Sequence, residues 1–556
     1  MKKLFTKAVL TGAAAIIVYL MVANLVFHIA TGWQYGFFFD EFYYYTMSNH
    51  LDFGYMDVAP VTAWLMALSR LIMGDSIVAM HVFPAIAGSF AMLFAALTAR
   101  KMGGGRFSQL LTALVVMLAP VLMTLFSMFI YDAFDQLMAA IVVFIVAKVL
   151  KGEATPRFWV LFGFVAGIGL LVKITIGFLL VCLIVGILLT RTRKRIATKW
   201  FWVSAAIAFA CFIPYIVWQA VHGFPIYEYL RAYASIRTVK PSVPEMLVNI
   251  IIVMNPASIL LWLGGLVLLF TKRGRTFRPF AWAFLIYFAL AAILSIKFYA
   301  LVGVLLPLIA FGAVCLERNY RRAPQDDLPV QQDGFPLPLQ GSGGTTDGLP
   351  ASKPPKKKKG RLSWALKVSY LVVLCLFGAA FAPLNLPMLS PQDTAVWNNL
   401  VGVSSIVRWD STIRTEVPTL LAGRLGWEEA VQAVAQLYHS LPEAEQNDCT
   451  IYGSTYGITG ALEYYGRKYG LPRPVSAHMG CYYWGHDEMD GKCVIFVGMG
   501  VNYYWELENY FDEIKIIPSP VSVPYSTLFI NSQPVYVCRG LKIPLDEFWE
   551  KMRSYS

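Results

Sequence analysis

The chain has 556 residues, 57% hydrophobic and 15% aromatic, with only 14% charged. A soluble globular domain carries about 25% charged residues, so that class is excluded and the composition reads as a polytopic membrane protein. The net charge of +12 does not point to nucleic acid, because the basic residues gather in short runs between apolar segments, as in loops held on the cytoplasmic side.

The chain opens with Lys2, Lys3 and Lys7, followed by an uncharged run from Ala8 to Ala30. A cleaved signal peptide has an apolar core of only about 7–15 residues. This run is longer and further spans follow, so it reads as a retained first helix.

Residues 31–76 then form a first loop. Its stretch Phe37-Phe38-Phe39-Asp40-Glu41-Phe42-Tyr43-Tyr44-Tyr45 sets two adjacent carboxylates in an aromatic bed, with Trp33 and Tyr35 just before. The plain reading is a pair of solvated loop acids. The sharper one is that the aromatics lower the local polarity and raise a carboxylate's basicity, as a proton acceptor requires. Adjacent residues point in different directions in helix or strand, so only one faces a given substrate atom, and Asp40 is the choice. Downstream, Trp64, Leu65, Leu68, Leu71 and Ile72 recur at helical spacing beside Arg70 and Asp75. That pattern predicts interfacial helices lying on a membrane.

Apolar runs near 8–30, 77–99, 108–128, 133–150, 157–172, 174–190, 200–220, 247–270, 280–296, 299–316 and 364–384 predict about eleven spans. Basic clusters fall on every second connection: Arg100/Lys101/Arg106, Lys148/Lys151/Arg157, 191–199, 272–278 and the loop after 317. The amino terminus and these loops are therefore expected inside, with the Asp40 loop and the carboxyl terminus outside.

The same orientation places Asp132 and Asp135, at the start of the fourth span, on the Asp40 side. Both acids also read as ordinary helix-start residues. Lys173 sits at an outward hairpin between two short runs, and Lys297-Phe298-Tyr299 at another. Arg231 and Arg237 lie on a further outer loop. A lysine at such a hairpin can merely snorkel to headgroups, or it can neutralise a lipid phosphate.

Residues 317–361, rich in Gly, Pro and Ser and ending in Lys356–Lys359, predict a disordered cytoplasmic linker. The membrane domain thus spans 1–384. From 385 to 556 the composition becomes that of a soluble domain. Helix-like stretches at Trp427–Tyr438, Gly457–Tyr469 and Leu545–Met552 alternate with strands at Thr450–Gly453, Val494–Val497 and Val535–Cys538, predicting a small α/β layer domain. Cys449, Cys481, Cys493 and Cys538 in this domain permit two disulfides, with three pairings open.

Taken together, Phe39-Asp40-Glu41-Phe42-Tyr43-Tyr44, the run His50 to Asp57 with Pro60 and Trp64, Gly103-Gly104-Gly105-Arg106, Tyr131-Asp132-Ala133 and Lys173-Ile174-Thr175 resemble the dolichyl-phosphate-mannose-protein mannosyltransferase-like proteins. These are bacterial glycosyltransferases of the GT-C fold and include the lipid A aminoarabinose transferases. Tyr464-Tyr465-Gly466, Ser476-Ala477-His478 and Tyr483-Trp484-Gly485 resemble the tail of that branch. The resemblance implies inverting transfer of one sugar from a polyprenyl-phosphate donor to a lipid, glycan or protein acceptor at the outer face of the inner membrane. It gives Asp40, Glu41 and Asp132 as the catalytic acids. It gives Lys173 and Tyr299 as donor-phosphate ligands, which Lys297, Arg231 and Arg237 would supplement. Val58 stands where relatives carry a cation before the first-loop proline, so these other cations must carry more of the phosphate. No nucleotide-binding loop is found, and a lipid phosphate needs none. No cofactor is implied, although two converging acids could hold a divalent metal. A transporter or flippase, the rival reading, should show intramembrane charges along a path, and few are seen.

Overall fold

The computed structural model describes residues 13–32, 34–236, 242–318, 361–402, 415–519, 521–527 and 533–555. The expected linker at 317–361 therefore lies almost wholly outside the described residues, as do Trp33, Arg237 and the opening lysines.

Among the described residues, each apolar run falls on helix, as its composition requires. Five helices among the described residues are long and apolar enough to cross a membrane: Ile77–Lys101, Tyr131–Lys151, Lys199–Val221, Phe298–Arg318 and Trp364–Asn385. Shorter apolar helices cover Ala15–Thr31, Arg106–Leu118, Pro156–Val172, Thr175–Leu188 and Arg278–Leu294. The protein is thus a multi-pass helical membrane protein.

The run expected at 247–270 is not straight. Helix Val243–Val253 and the segment Pro256–Leu269 meet at 106°. Pro256 has no N–H to continue the ladder, and Asn255 adopts φ 69°. Its side chain donates to the carbonyls of Leu118 (3.2 Å) and Leu374 (3.0 Å) and accepts from the Ala257 amide (3.2 Å). One amide group thus satisfies backbone atoms at two breaks, after Leu118 and after Asn255, and reaches a carbonyl in the middle of helix Arg361–Asn385, which a hydrocarbon environment favours.

The first loop carries helices Phe39–Asn49 and Val61–Met73. The second is two-faced, with Met66 fully buried and Leu71 83% exposed. The first is enclosed, with Phe42, Tyr43, Tyr44, Tyr45 and Met47 all buried.

What covers that helix comes from the far end of the chain. Helix Tyr456–Gly466 packs against it through two glycines. A Cβ at Gly460 would lie 2.5 Å from the Phe42 carbonyl oxygen, and one at Gly457 would lie 2.4 Å from the Phe39 ring. Because the first obstacle is backbone, Gly460→Ala must push the helices apart. We expect it to cost about 1–3 kcal/mol, read as a lower denaturation midpoint of the purified protein.

The carboxyl-terminal region is an α/β layer with a four-stranded sheet, order β1-β2-β4-β3. The strands are β1 (Cys449–Gly453), β2 (Cys493–Val497), β3 (Phe511–Ile517) and β4 (Val535–Leu541). β1 and β2 run parallel, joined through helix Tyr456–Gly466, and the other pairs are antiparallel. β3 was not foreseen. It is an edge strand with most side chains exposed, so Asp512, Glu513 and Lys515 obscure its alternation.

The cysteine expectation needs correction. Cys449 and Cys493 are register partners on β1 and β2 and form one disulfide, with Cα atoms 4.4 Å apart. Cys481 and Cys538 are buried free thiols. Cys538 pairs in register with Val494, the residue after Cys493, so it faces the opposite side of the sheet. The two remaining thiols are buried in separate core clusters, Cys481 with Met479 and Cys538 with Phe496 and Phe548, and form no second bond.

Candidate functional site

Asp40 lies in the first turn of Phe39–Asn49, at the junction of the membrane helices and the carboxyl-terminal region. Its carboxylate accepts a 2.8 Å hydrogen bond from the Tyr456 hydroxyl. Tyr456 stacks on Tyr43, ring centroids 4.4 Å apart. Burial, and then the charge of Asp40, push the Tyr456 hydroxyl well above its usual value, so it stays protonated and donates.

Asp57 joins the same cluster, accepting from the Tyr43 hydroxyl at 2.8 Å. Burial lifts the Asp57 carboxyl to about 6, with the charge of Asp40 adding to the rise and the Tyr43 bond opposing it. Folded protein then holds this proton up to about pH 6, whereas an unfolded aspartate releases it near pH 4. Stability relative to an uncharged residue is therefore lost as pH rises from 4 through 6. Asp57→Asn should match the parent at pH 4 and be the more stable protein at pH 8, by about 3 kcal/mol at most. Thermal unfolding across that range checks the sign.

Asp132 lies in the first turn of Tyr131–Lys151 and pairs with the Lys173 ammonium, which ends helix Pro156–Val172. Lys173 sits 4.1 Å above the Tyr131 ring and 5.4 Å from that of Tyr299. Lys297 flanks Tyr299 at 5.8 Å. The Tyr131 ring meets that of Tyr44 edge-on at 5.9 Å. Tyr44 ties the acids together: burial first, then the charges of Asp40, Asp57 and Asp132, push its hydroxyl well above its ordinary value. Asp40, Asp132, Lys173, Lys297 and Tyr299 thus come to one end of the helices.

Two expected residues are placed differently. Glu41 does not face this cluster. It is 1% exposed, pairs with His81 at 2.8 Å and accepts from the amides of Phe129 (2.6 Å) and Phe38 (2.7 Å). Adjacent residues of a helix diverge, and the neighbour of a solvent-side acid was bound to turn inward. Arg231 is exposed on helix Pro225–Ile236, whose Glu228 is held by Arg553 (2.9 Å) and Tyr555 (2.6 Å) near the end of the chain. Arg237 lies outside the described residues.

Below Lys173, the helices on either side of it diverge. Pro156–Val172 packs chiefly on Lys199–Val221, and Thr175–Leu188 on Arg278–Leu294. Between them lies an apolar cavity of about 260 Å³, lined by Val149, Trp159, Leu170, Leu183, Ile187 and Phe212.

Among the described residues, metal-ligand spacing occurs at one group, Glu445, Cys449 and Cys493, remote in sequence from the three acids. There the thiols are joined and Glu445 pairs with Arg539 at 2.6 Å, so the donors are already engaged.

Residues 57–218 match the family model described as dolichyl-phosphate-mannose-protein mannosyltransferase. ArnT from Cupriavidus metallidurans, solved bound to undecaprenyl phosphate, superposes with a TM-score of 0.59 at 13% identity, over 94% of this chain and 97% of that one. Its apo form gives 0.58. The oligosaccharyltransferase AglB from Archaeoglobus fulgidus, in complex with an inhibitory peptide and a dolichol-phosphate, gives 0.50 at 12% identity, over 97% of this chain and 76% of that one. The chain has the GT-C fold. No curated protein matches it in sequence.

Within this GT-C chain, four residues of the neighbourhood escaped the reading of the sequence. Asp57 was read only as the end of a matching run beside the unexpected Val58 and was given no role in the site. Tyr456 is 416 positions from Asp40, so no local spacing links them. His81 sits in an apolar run, where a lone histidine reads as core. Arg424, in Gly423-Arg424-Leu425, has no neighbour in sequence to signal that it is 1% exposed.

Proposed function

We propose that this protein is an inverting glycosyltransferase. It moves a sugar from a polyprenyl-phosphate donor to a lipid, glycan or protein acceptor at the outer face of a bacterial inner membrane. The observation that carries this reading is the meeting of Asp40 and the Asp132–Lys173 pair around Tyr44 and Tyr131, on helices that also enclose an apolar cavity.

In this reading the acceptor oxygen attacks the anomeric carbon while the bond to the phosphate oxygen breaks on the opposite face. Asp40 takes the acceptor's proton. Polyprenyl phosphate leaves with both bonding electrons, gaining negative charge that Lys173, Lys297 and the Tyr299 hydroxyl offset. A lipid phosphate is already a competent leaving group, so the protein's work is positioning and charge compensation. The isoprenoid tail suits the apolar cavity between the helices that flank Lys173, and exposed Arg231 supplies further positive charge. Basic loops at the opposite helix ends support an inside amino terminus.

The test is transfer by purified, reconstituted protein given a labelled polyprenyl-phosphate sugar, joined to mass spectrometry of envelope lipids and glycans from cells with and without the chain. A mass difference of one sugar residue, with release of polyprenyl phosphate, is the expected result. Identical envelopes and no transfer from a panel of such donors would overturn the reading.

A further inference from the structure

The buried surroundings of Glu41 have a purpose distinct from chemistry on a substrate. Its two amide donors come from opposite partners of the site. Phe38 leads into the helix that carries Asp40, and Phe129 lies three residues before Asp132. One carboxylate thus spans the two acidic segments.

Two further groups stand behind it. His81 directs Nε2 at Glu41, and its Nδ1 lies 3.1 Å from the Gly32 carbonyl oxygen. Both ring nitrogens face oxygen atoms, so a proton is held on the line between Nε2 and the Glu41 carboxylate. Arg424 reaches in from the carboxyl-terminal region and donates to the Ser127 hydroxyl at 2.8 Å. Its charge and that of His81 favour the ionised form of Glu41 against the cost of burial. The Arg424 backbone lies against the segment leading into the Asp40 helix, since a Cβ on Gly36 would lie 2.8 Å from its carbonyl oxygen.

A buried ion cluster is poor value as mere stabilisation, because apolar residues of the same volume often stabilise as well or better. What it supplies is geometry: each donor accepts little departure from its place. We infer that Glu41, His81 and Arg424 are positioning residues that set the separation of Asp40 and Asp132. Glu41 clips the Asp40 helix to the turn before Asp132, and Arg424 locks that turn to the carboxyl-terminal region. This rests on the roles proposed above for the two acids.

The experiment uses full-length protein in nanodiscs. Glu41→Gln, Arg424→Met, Arg424→Lys and Ser127→Ala are compared by transfer kinetics and by hydrogen exchange of peptides covering 36–44 and 127–132. Glu41→Gln should speed exchange at the Phe38 and Phe129 amides and lower kcat about 100-fold, as a misplacement near 1 Å does, with donor KM little changed. Arg424→Met should act in the same direction, and Arg424→Lys should recover most of kcat. Ser127→Ala alters no charge and serves if Glu41→Gln yields no folded protein. It should lower kcat more mildly, with faster exchange confined to 127–132.

Unchanged exchange at both amides in Glu41→Gln overturns the inference. So does a rise in KM at constant kcat, or an Arg424→Lys protein no better than Arg424→Met. If the wild-type protein moves no sugar, the transfer reading fails, while the exchange measurement still decides whether the clip exists.

Discussion

Asp40→Asn should leave the protein folded and cut sugar transfer about 10²–10⁴-fold, the usual worth of a positioned general base. The substitution is nearly isosteric. An asparagine oxygen can still accept from Tyr456, so the hydrogen bond at 2.8 Å survives while the charge and basicity vanish. Donor binding should hold, because Asp40 is assigned to the acceptor. The decisive measurement is single-turnover transfer from saturating labelled donor, with thermal unfolding as the control. Full activity in Asp40→Asn would remove the acid from the mechanism. A companion, Tyr456→Phe, should cost far less, since it deletes one neutral donor and no charge.

Lys173→Ala is the second large effect, expected to lower kcat about 10²–10³-fold. In the free protein the ammonium is held by Asp132 and lies over Tyr131. The donor is a phosphodiester and the leaving lipid a phosphomonoester, so negative charge grows as the bond breaks. A cation placed there is worth more in the transition state than in the ground state. Loss should therefore appear in kcat more than in KM, and Lys173→Arg should restore part of it. If the lysine only snorkels to headgroups, Lys173→Ala will transfer normally, and that outcome would sink the phosphate assignment.

How much of this could be read from the chain alone differs by element. The helices were legible where apolar runs or 3.6-residue periodicity dominate, as at Trp427–His439 and Leu545–Met552. The bend at Asn255 was not, because the run on both sides stays apolar and only Pro256 hints at it. In the sheet, β1, β2 and the start of β4 stood out as buried apolar strands, whereas β3 hid behind its charges. The disulfide needed register: nothing in the spacing of four cysteines says that Cys449 and Cys493 begin neighbouring parallel strands. In the candidate site, Asp40 and Lys173 drew notice because charges are rare beside spans. Arg424, His81 and Tyr456 could not, because what distinguishes them is who they meet across long separations.

The pairing of Phe39–Asn49 with Tyr456–Gly466 carries a consequence for synthesis. Asp40 and Tyr456 are 416 residues apart, and ribosomes add about 5–20 residues per second. From the emergence of the first helix to that of its partner takes roughly 20–80 s. During that interval an aromatic face meant for burial has nothing to cover it. Its tyrosines must be sheltered by lipid, by a chaperone or by a temporary fold. The site can close only when the chain is nearly finished, so a ribosome stalled before residue 456 leaves a membrane-inserted protein with no working centre.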